Sequence, residues 1–108
     1  MTGAPTRKRL PDRRASETFD VERCGLRFTV TASRFDDQRL AEVFIQNHKA
    51  DSTAGIMASD AAIAASLALQ FGCPAEVLRK AFKRDGQGLP LSPLAAALDP
   101  LDQHGAAK

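Results

Sequence analysis

The chain predicts an α+β fold: a three-stranded antiparallel sheet (β-β-β) followed by a long Ala-rich helix and two shorter helices. Three observations point there. Residues 18–22 (TFDVE) and 26–32 (LRFTVTA) alternate apolar and polar side chains with period two, the signature of half-buried strands. From Ser52 or Thr53 to Phe71 the period lengthens to that of a helix. All strand patterns precede all helix patterns, so no βαβ unit forms and a sheet covered by the long helix is the simplest way to bury both.

The elements follow in order. Between the first two strands, Arg23-Cys24-Gly25 supplies a Gly where a tight turn needs a positive φ, which predicts a β-hairpin. Phe19, Val21, Leu26, Phe28 and Val30 then share the inner face, with Glu22, Arg27, Thr29 and Thr31 in water. A turn at Asp36, Asp37 and Gln38 leads into a third strand over residues 41–46. Its run Val43-Phe44-Ile45 is apolar on both faces, as expected of a central or covered strand.

In the long helix Met57, Ala61, Ala64, Leu67, Ala68 and Phe71, flanked by Ile56 and Ile63, form the stripe expected to face the core. Ala54, Ala58, Ala62 and Ser66 recur every four residues on a different face, one suited to close approach by a second copy. Asp51 or Ser52 caps the start, and Gly72 stands where a left-handed residue ends a helix. Pro74 opens a second helix at its first position, with Val77, Leu78, Ala81 and Phe82 as its buried side and Arg79, Lys80, Lys83 and Arg84 at its cation-favouring end. Residues 85–88 (DGQG) end it. Ser92 caps a last helix with Pro93 at its first position, which Pro100 is expected to stop. The organisation read from this pattern is a basic flexible arm over residues 1–16, one α+β domain over 17–101, and a flexible tail over 102–108.

Composition narrows the function classes. At 108 residues, 44% hydrophobic and with six Phe, the chain can build one small core, marginal as a monomer. No apolar run is long enough to span a bilayer, because Ser59, Asp60, Ser66 and Gln70 interrupt the longest one. The positively charged N-terminus has no apolar segment behind it, so it does not read as a secretory signal, and a cytoplasmic location is expected. Cys24 and Cys73 are far apart and suit free thiols. With His48 and His104 they are too scattered for a metal site. No nucleophile with its base, and no phosphate-cradling Gly loop, can be named, so a self-contained active site is not expected.

Two stretches are candidate binding sites. The arm carries Arg7, Lys8, Arg9, Arg13 and Arg14 against Asp12, a surplus of four positive charges in a chain of net charge +2, which leaves the rest at −2. Such an arm attracts nucleic acid or acidic surfaces, although basic residues beside prolines are more often a solvated tail. Asn47, His48 and Lys49, with Ser52, precede the first free amides of the long helix, a generic anion seat. The competing reading is a capped connector, with Asp51 and Ser52 already satisfying those amides.

The segment from about Thr18 to Arg84 resembles the TSCPD domain, found at the C-terminal end of adenosylcobalamin-dependent (class II) ribonucleotide reductases and as short separate bacterial proteins. The features that carry the resemblance, in order, are Cys24-Gly25 before an alternating strand, Ala41-Glu42-Val43-Phe44-Ile45, Lys49-Ala50 with Ser52, the helix end Leu67-Ala68-Leu69-Gln70-Phe71-Gly72, and Pro74-Ala75-Glu76-Val77-Leu78. The Thr-Ser-Cys-Pro-Asp string and the paired terminal cysteines of such reductases are absent, and the chain is too short to hold the catalytic barrel. What the resemblance implies is a non-catalytic accessory or interaction domain linked to deoxyribonucleotide synthesis. Its implied partner is a ribonucleotide reductase or a second copy of the chain. Adenosylcobalamin is then a cofactor of the larger reductases only. The alternative is a small nucleic-acid or nucleotide binder using the arm and the Asn47 to Lys49 turn.

Overall fold

A computed structural model describes residues 6–12, 14–23, 25–48 and 52–106. Strands β1 (Ser16–Arg23), β2 (Leu26–Arg34) and β3 (Leu40–Asn47) are followed by helices α1 (Thr53–Gln70), α2 (Ala75–Ala81) and α3 (Pro93–Ala106). The fold is therefore α+β, with an antiparallel sheet of order β1-β2-β3. A two-residue turn joins β1 and β2, with Gly25 at φ +78°, where a Cβ would be strained. The register sets Phe19 opposite Val30 and Val21 opposite Phe28, so the alternating apolar residues do share one face.

The opposite face of the sheet is polar. Thr29 donates from Oγ1 to Asp20 at 3.0 Å, and Thr18 and Thr31 pair across the strands at 3.4 Å. Phe44, opposite Thr31, is an exposed aromatic on this face. The middle of the sheet belongs to β2, whereas β3 lies at an edge. The expectation of a central or doubly covered strand is therefore corrected: Val43 and Ile45 are buried and α1 covers the strand's free edge, while Phe44 stays exposed on the polar face.

The approach of α1 to β3 organises the molecule. Ser66 Oγ accepts from the Val43 amide at 2.8 Å and donates to the Val43 carbonyl at 2.8 Å, while Gln70 Nε2 donates to the Ala41 carbonyl at 3.1 Å. These polar side chains satisfy backbone groups that an edge strand would otherwise offer to another chain. A helix can reach a strand edge this closely only through small residues. Accordingly Ala58, Ala62, Ala65, Ser66, Leu69 and Gln70 are its buried side.

This reverses the expected orientation of α1. Met57 and Phe71, assigned to the inward stripe, are 67% and 46% exposed, and Ile56, Ile63 and Leu67 are exposed with them. The small-residue face proposed for a second copy is instead spent on the chain's own sheet. Periodicity identifies a stripe but does not say which stripe is inside, and here the need for close backbone approach outweighs side-chain size.

The helix ends match their sequence signals. Ser52 Oγ accepts from the Gly55 amide at 3.0 Å, capping α1. At the far end Gly72 has φ +109°, its amide reaches the Leu69 carbonyl, and the Cys73 amide reaches the Ala68 carbonyl, the paired bonds of a Schellman ending. Pro74 precedes α2 as its cap residue. Leu78 and Phe82 pack against the core, but Val77 and Ala81 are exposed, so only half of the expected buried side is buried.

Helix α3 does not stop at Pro100. Ser92 caps it through the Ala95 amide at 3.1 Å, and it continues past the proline to Ala106. Pro100 removes one helical hydrogen bond. The next residue, Leu101, is 1% exposed in the core beside Leu98, and its carbonyl accepts from Arg34 Nη2 at 2.6 Å. Burying a leucine is worth about 2 kcal/mol, comparable to the lost bond and its strain. The main core joins Phe28, Val30, Val43 and Ile45 of the sheet to Leu69 of α1 and to Leu94, Ala97, Leu98 and Leu101 of α3.

A salt bridge ties α3 to the segment that follows α2. Arg84 donates from Nη1 and Nη2 to the two carboxylate oxygens of Asp99 at 2.9 and 2.6 Å. The hydrogen bond from Arg84, reinforced by the charges of Arg84 and Arg79, holds the Asp99 carboxyl below its usual range. A carboxyl depressed in the folded state supports folding above its unfolded value of about 3.9, and that support disappears as pH falls through the lower folded value. Asp99→Asn is expected to lower the thermal midpoint at neutral pH and to flatten its decline between about pH 5 and pH 2, as read by circular dichroism melts across that range.

Candidate functional site

The face of α1 turned from the core is the first candidate. Along its 18 residues the only ionisable side chain is Asp60. Ile56, Ile63, Leu67 and Phe71 follow one another at helical spacing on the outward side, with Met57 beside them. A helix apolar on all sides is ordinarily covered on all sides, and a row of five exposed large apolar residues is the kind of patch that marks an interaction surface.

The second candidate is a groove of about 670 Å³ at the end of the sheet distant from the β1–β2 turn, between the arm and the β2–β3 connection. Its lining includes Lys8, Arg9, Arg14, Arg34 and Phe35, with Glu17 and Asp36 as the carboxylates. The arm reaches it because its residues bind the body. Arg7 Nε donates to Gln70 Oε1 at 2.6 Å, and the Lys8 amide donates to the Gln70 carbonyl at 2.8 Å. Lys8 Nζ stands 4.6 Å from the centre of the buried Phe35 ring, on which Arg39 also rests at 5.0 Å.

Arg14 Nε donates to Glu42 Oε2 at 2.8 Å, and this bond to a buried carboxylate raises the Arg14 pKa further. Sequence reasoning does not find Arg34 or Phe35 as groove residues, nor Glu42 as the partner that holds Arg14 there. A signal for Glu42 existed, since a carboxylate inside an apolar strand needs a cation, and the arm holds five. Arg13 lies outside the described residues.

The turn before α1 stands at the other end of β3. Ser52 Oγ accepts from Asn47 Nδ2 at 3.0 Å as well as from the Gly55 amide, so its hydroxyl is occupied by the cap. His48 Nε2 lies 2.7 Å from Thr29 Oγ1 and 3.7 Å from Asp20 Oδ1, on the polar sheet face. Gly55 closes the turn: a Cβ there would stand 2.8 Å from Asn47 Cβ and 2.9 Å from Ser52 Oγ. Lys49 and Asp51 lie outside the described residues. Among the described residues, the arm and the turn lie toward opposite ends of β3.

Cys73 is a free, half-buried thiol beside a smaller groove of about 340 Å³, and Cys24 lies outside the described residues. Among the described residues no group of three His, Cys, Asp or Glu side chains gathers to hold a metal, and no helix is long and apolar enough to cross a membrane.

No solved structure matches the chain. It is 37% identical over 76 residues to a vitamin B12-dependent ribonucleotide reductase of Agrobacterium fabrum, covering 70% of this chain and 6% of that protein. The corresponding protein of Bradyrhizobium diazoefficiens is 36% identical over 76 residues, again 70% of this chain and 6% of the relative. That of Streptantibioticus cattleyicolor is 39% identical over 72 residues, or 67% and 12%. The chain thus spans 6 to 12% of the length of these relatives. The model of the TSCPD domain matches residues 4–104, nearly the whole chain and most of the arm, and the chain belongs to the TSCPD domain family.

Proposed function

We propose that this chain is a non-catalytic accessory domain that docks onto a ribonucleotide reductase polypeptide through the outward face of α1. The observation that carries the reading is the exposed row Ile56, Ile63, Leu67 and Phe71, with Met57, on a helix with a single charge. Burial of five such side chains in an interface supplies the apolar centre that stable docking needs. The reductase is chosen because the relatives bear that name and contain this domain as a small part of a much longer chain.

The relatives' name also ties them to vitamin B12. The described residues do not fit that cofactor: the grooves of about 670 and 340 Å³ are of drug-sized volume, too small to enclose a corrinoid. His48 is engaged with Thr29. In this reading the corrinoid and the reduction chemistry belong to the partner polypeptide.

The test is co-purification of the tagged chain with a vitamin B12-dependent ribonucleotide reductase from the same cell. Wild type is expected to retain the reductase and Met57→Glu/Leu67→Glu to lose it. Equal capture by both forms would remove the α1 face from the reading, and no capture by wild type would remove the partner.

A further inference from the structure

The groove beneath the arm has a charge arrangement that docking through α1 does not use. Its cations are committed unequally. Arg14 is held by Glu42 through Nε, and its Nη1 donates to the Pro11 and Asp12 carbonyls at 2.7 and 3.3 Å. Arg34 is engaged on all sides. Its Nε lies 3.9 Å from Glu17, and its Nη1 and Nη2 donate to the Gln38 and Leu101 carbonyls. Lys8 and Arg9 form no ion pair among the described residues, although the charge of Lys8 is felt by the nearby Asp37 carboxylate.

Lys8 and Arg9 therefore line the groove without an ion pair among the described residues, beside Arg14 and Arg34, which the fold already holds in place. The hydroxyl-bearing Ser16 and Ser33 also line it. Phe35 is buried and covered by Lys8 and Arg39, so no ring face is offered for stacking a base. A volume of about 670 Å³ falls in the range of small-molecule sites.

We infer that the groove lined by Lys8, Arg9, Arg14 and Arg34 is a binding site for a small polyphosphate anion, held at its phosphates rather than through a base. Lys8 and Arg9 supply the charge that a bound anion neutralises, while Arg14 and Arg34, their charges offset by Glu42 and Glu17, form the ordered wall beside them. A nucleic acid strand is disfavoured because its affinity without sequence preference draws on stacking platforms, which this groove lacks.

The experiment titrates the full-length chain with inorganic tripolyphosphate by isothermal calorimetry at about 0.15 M salt, where exposed charges farther apart than about 8 Å are screened. Saturable binding of one anion per chain is expected. Arg9→Ala should weaken it about tenfold, and Lys8→Ala/Arg9→Ala further, each lost contact to a charged group being worth about one such factor. Lys83→Ala, outside the groove, should leave it unchanged. Because Lys8 packs on Phe35, the exposed Arg9 variant carries the test if the double variant does not fold.

Absence of saturable binding, or equal weakening by Lys83→Ala, would overturn the proposal. So would tighter binding of a single-stranded oligonucleotide than of tripolyphosphate at the same salt, which would assign the arm to nucleic acid. The proposal is independent of the docking reading. The Met57→Glu/Leu67→Glu form is expected to keep tripolyphosphate while losing the reductase.

Discussion

Replacing Ser66 by Ala is expected to cost about 2–4 kcal/mol and to lower the thermal midpoint by about 10–25 °C, the conversion for a domain of this size being about 4–8 °C per kcal/mol. One hydroxyl serves both the amide and the carbonyl of Val43 at 2.8 Å in a buried setting. Its removal leaves two backbone groups desolvated and unpaired, each costing about 1–3 kcal/mol. The gain in helix propensity from Ser to Ala, under about 0.7 kcal/mol, does not offset that. Ser59→Ala is the control, because it makes the same change on the same helix without touching these bonds. A denaturant titration of both variants separates the two contributions.

Ala62→Leu is the second large effect. Ala62 has no exposed surface, and its methyl faces the core where α1 meets β3. Three added carbons have nowhere to go without moving the helix outward, a strain of about 1–3 kcal/mol by itself. Moving the helix also stretches the Ser66 and Gln70 bonds to the strand edge, so the expected total is about 2–5 kcal/mol. A domain with about 5–15 kcal/mol of stability tolerates this poorly. The melting midpoint reads the loss, and loss of a cooperative transition is its extreme form.

Much of the fold was legible in the sequence, for identifiable reasons. Gly25, Ser52, Gly72 and Ser92 act locally, and each stands where its backbone requirement places it. The alternation in β1 and β2 specifies the inner face, and the observed register places Phe19 and Val21 opposite Val30 and Phe28 on it. What was not legible depended on long-range competition. The two stripes of α1 are both apolar, and only the β3 edge, with backbone groups needing Ser66 and Gln70, decides between them. Ser66 and Gln70, two polar residues four apart in the mostly apolar second half of the helix, are the available signal. Pro100 misled for the same reason: a local rule was outweighed by burial of Leu101, visible only once α3 meets the sheet.

The candidate sites were legible in part. The basic arm stands out by charge alone, but the groove it forms needs Arg34 and Phe35 from the end of β2 and the turn after it, and Glu42 of β3 to hold Arg14 in place. The exposed face of α1 is legible as an apolar stripe, but the pattern alone turns it to the core side of the helix.

The orientation of α1 underlies both the stability of the domain and its proposed docking, and one melting experiment tests it. Met57→Glu/Leu67→Glu places two carboxylates on the face that points to solvent, so the isolated variant should melt cooperatively within about 5 °C of wild type, as exposed substitutions do. Were that face turned inward, two buried unpaired charges would abolish folding. An unfolded variant would contradict the account, and a cooperatively folded one with its midpoint within about 5 °C of wild type is what it predicts.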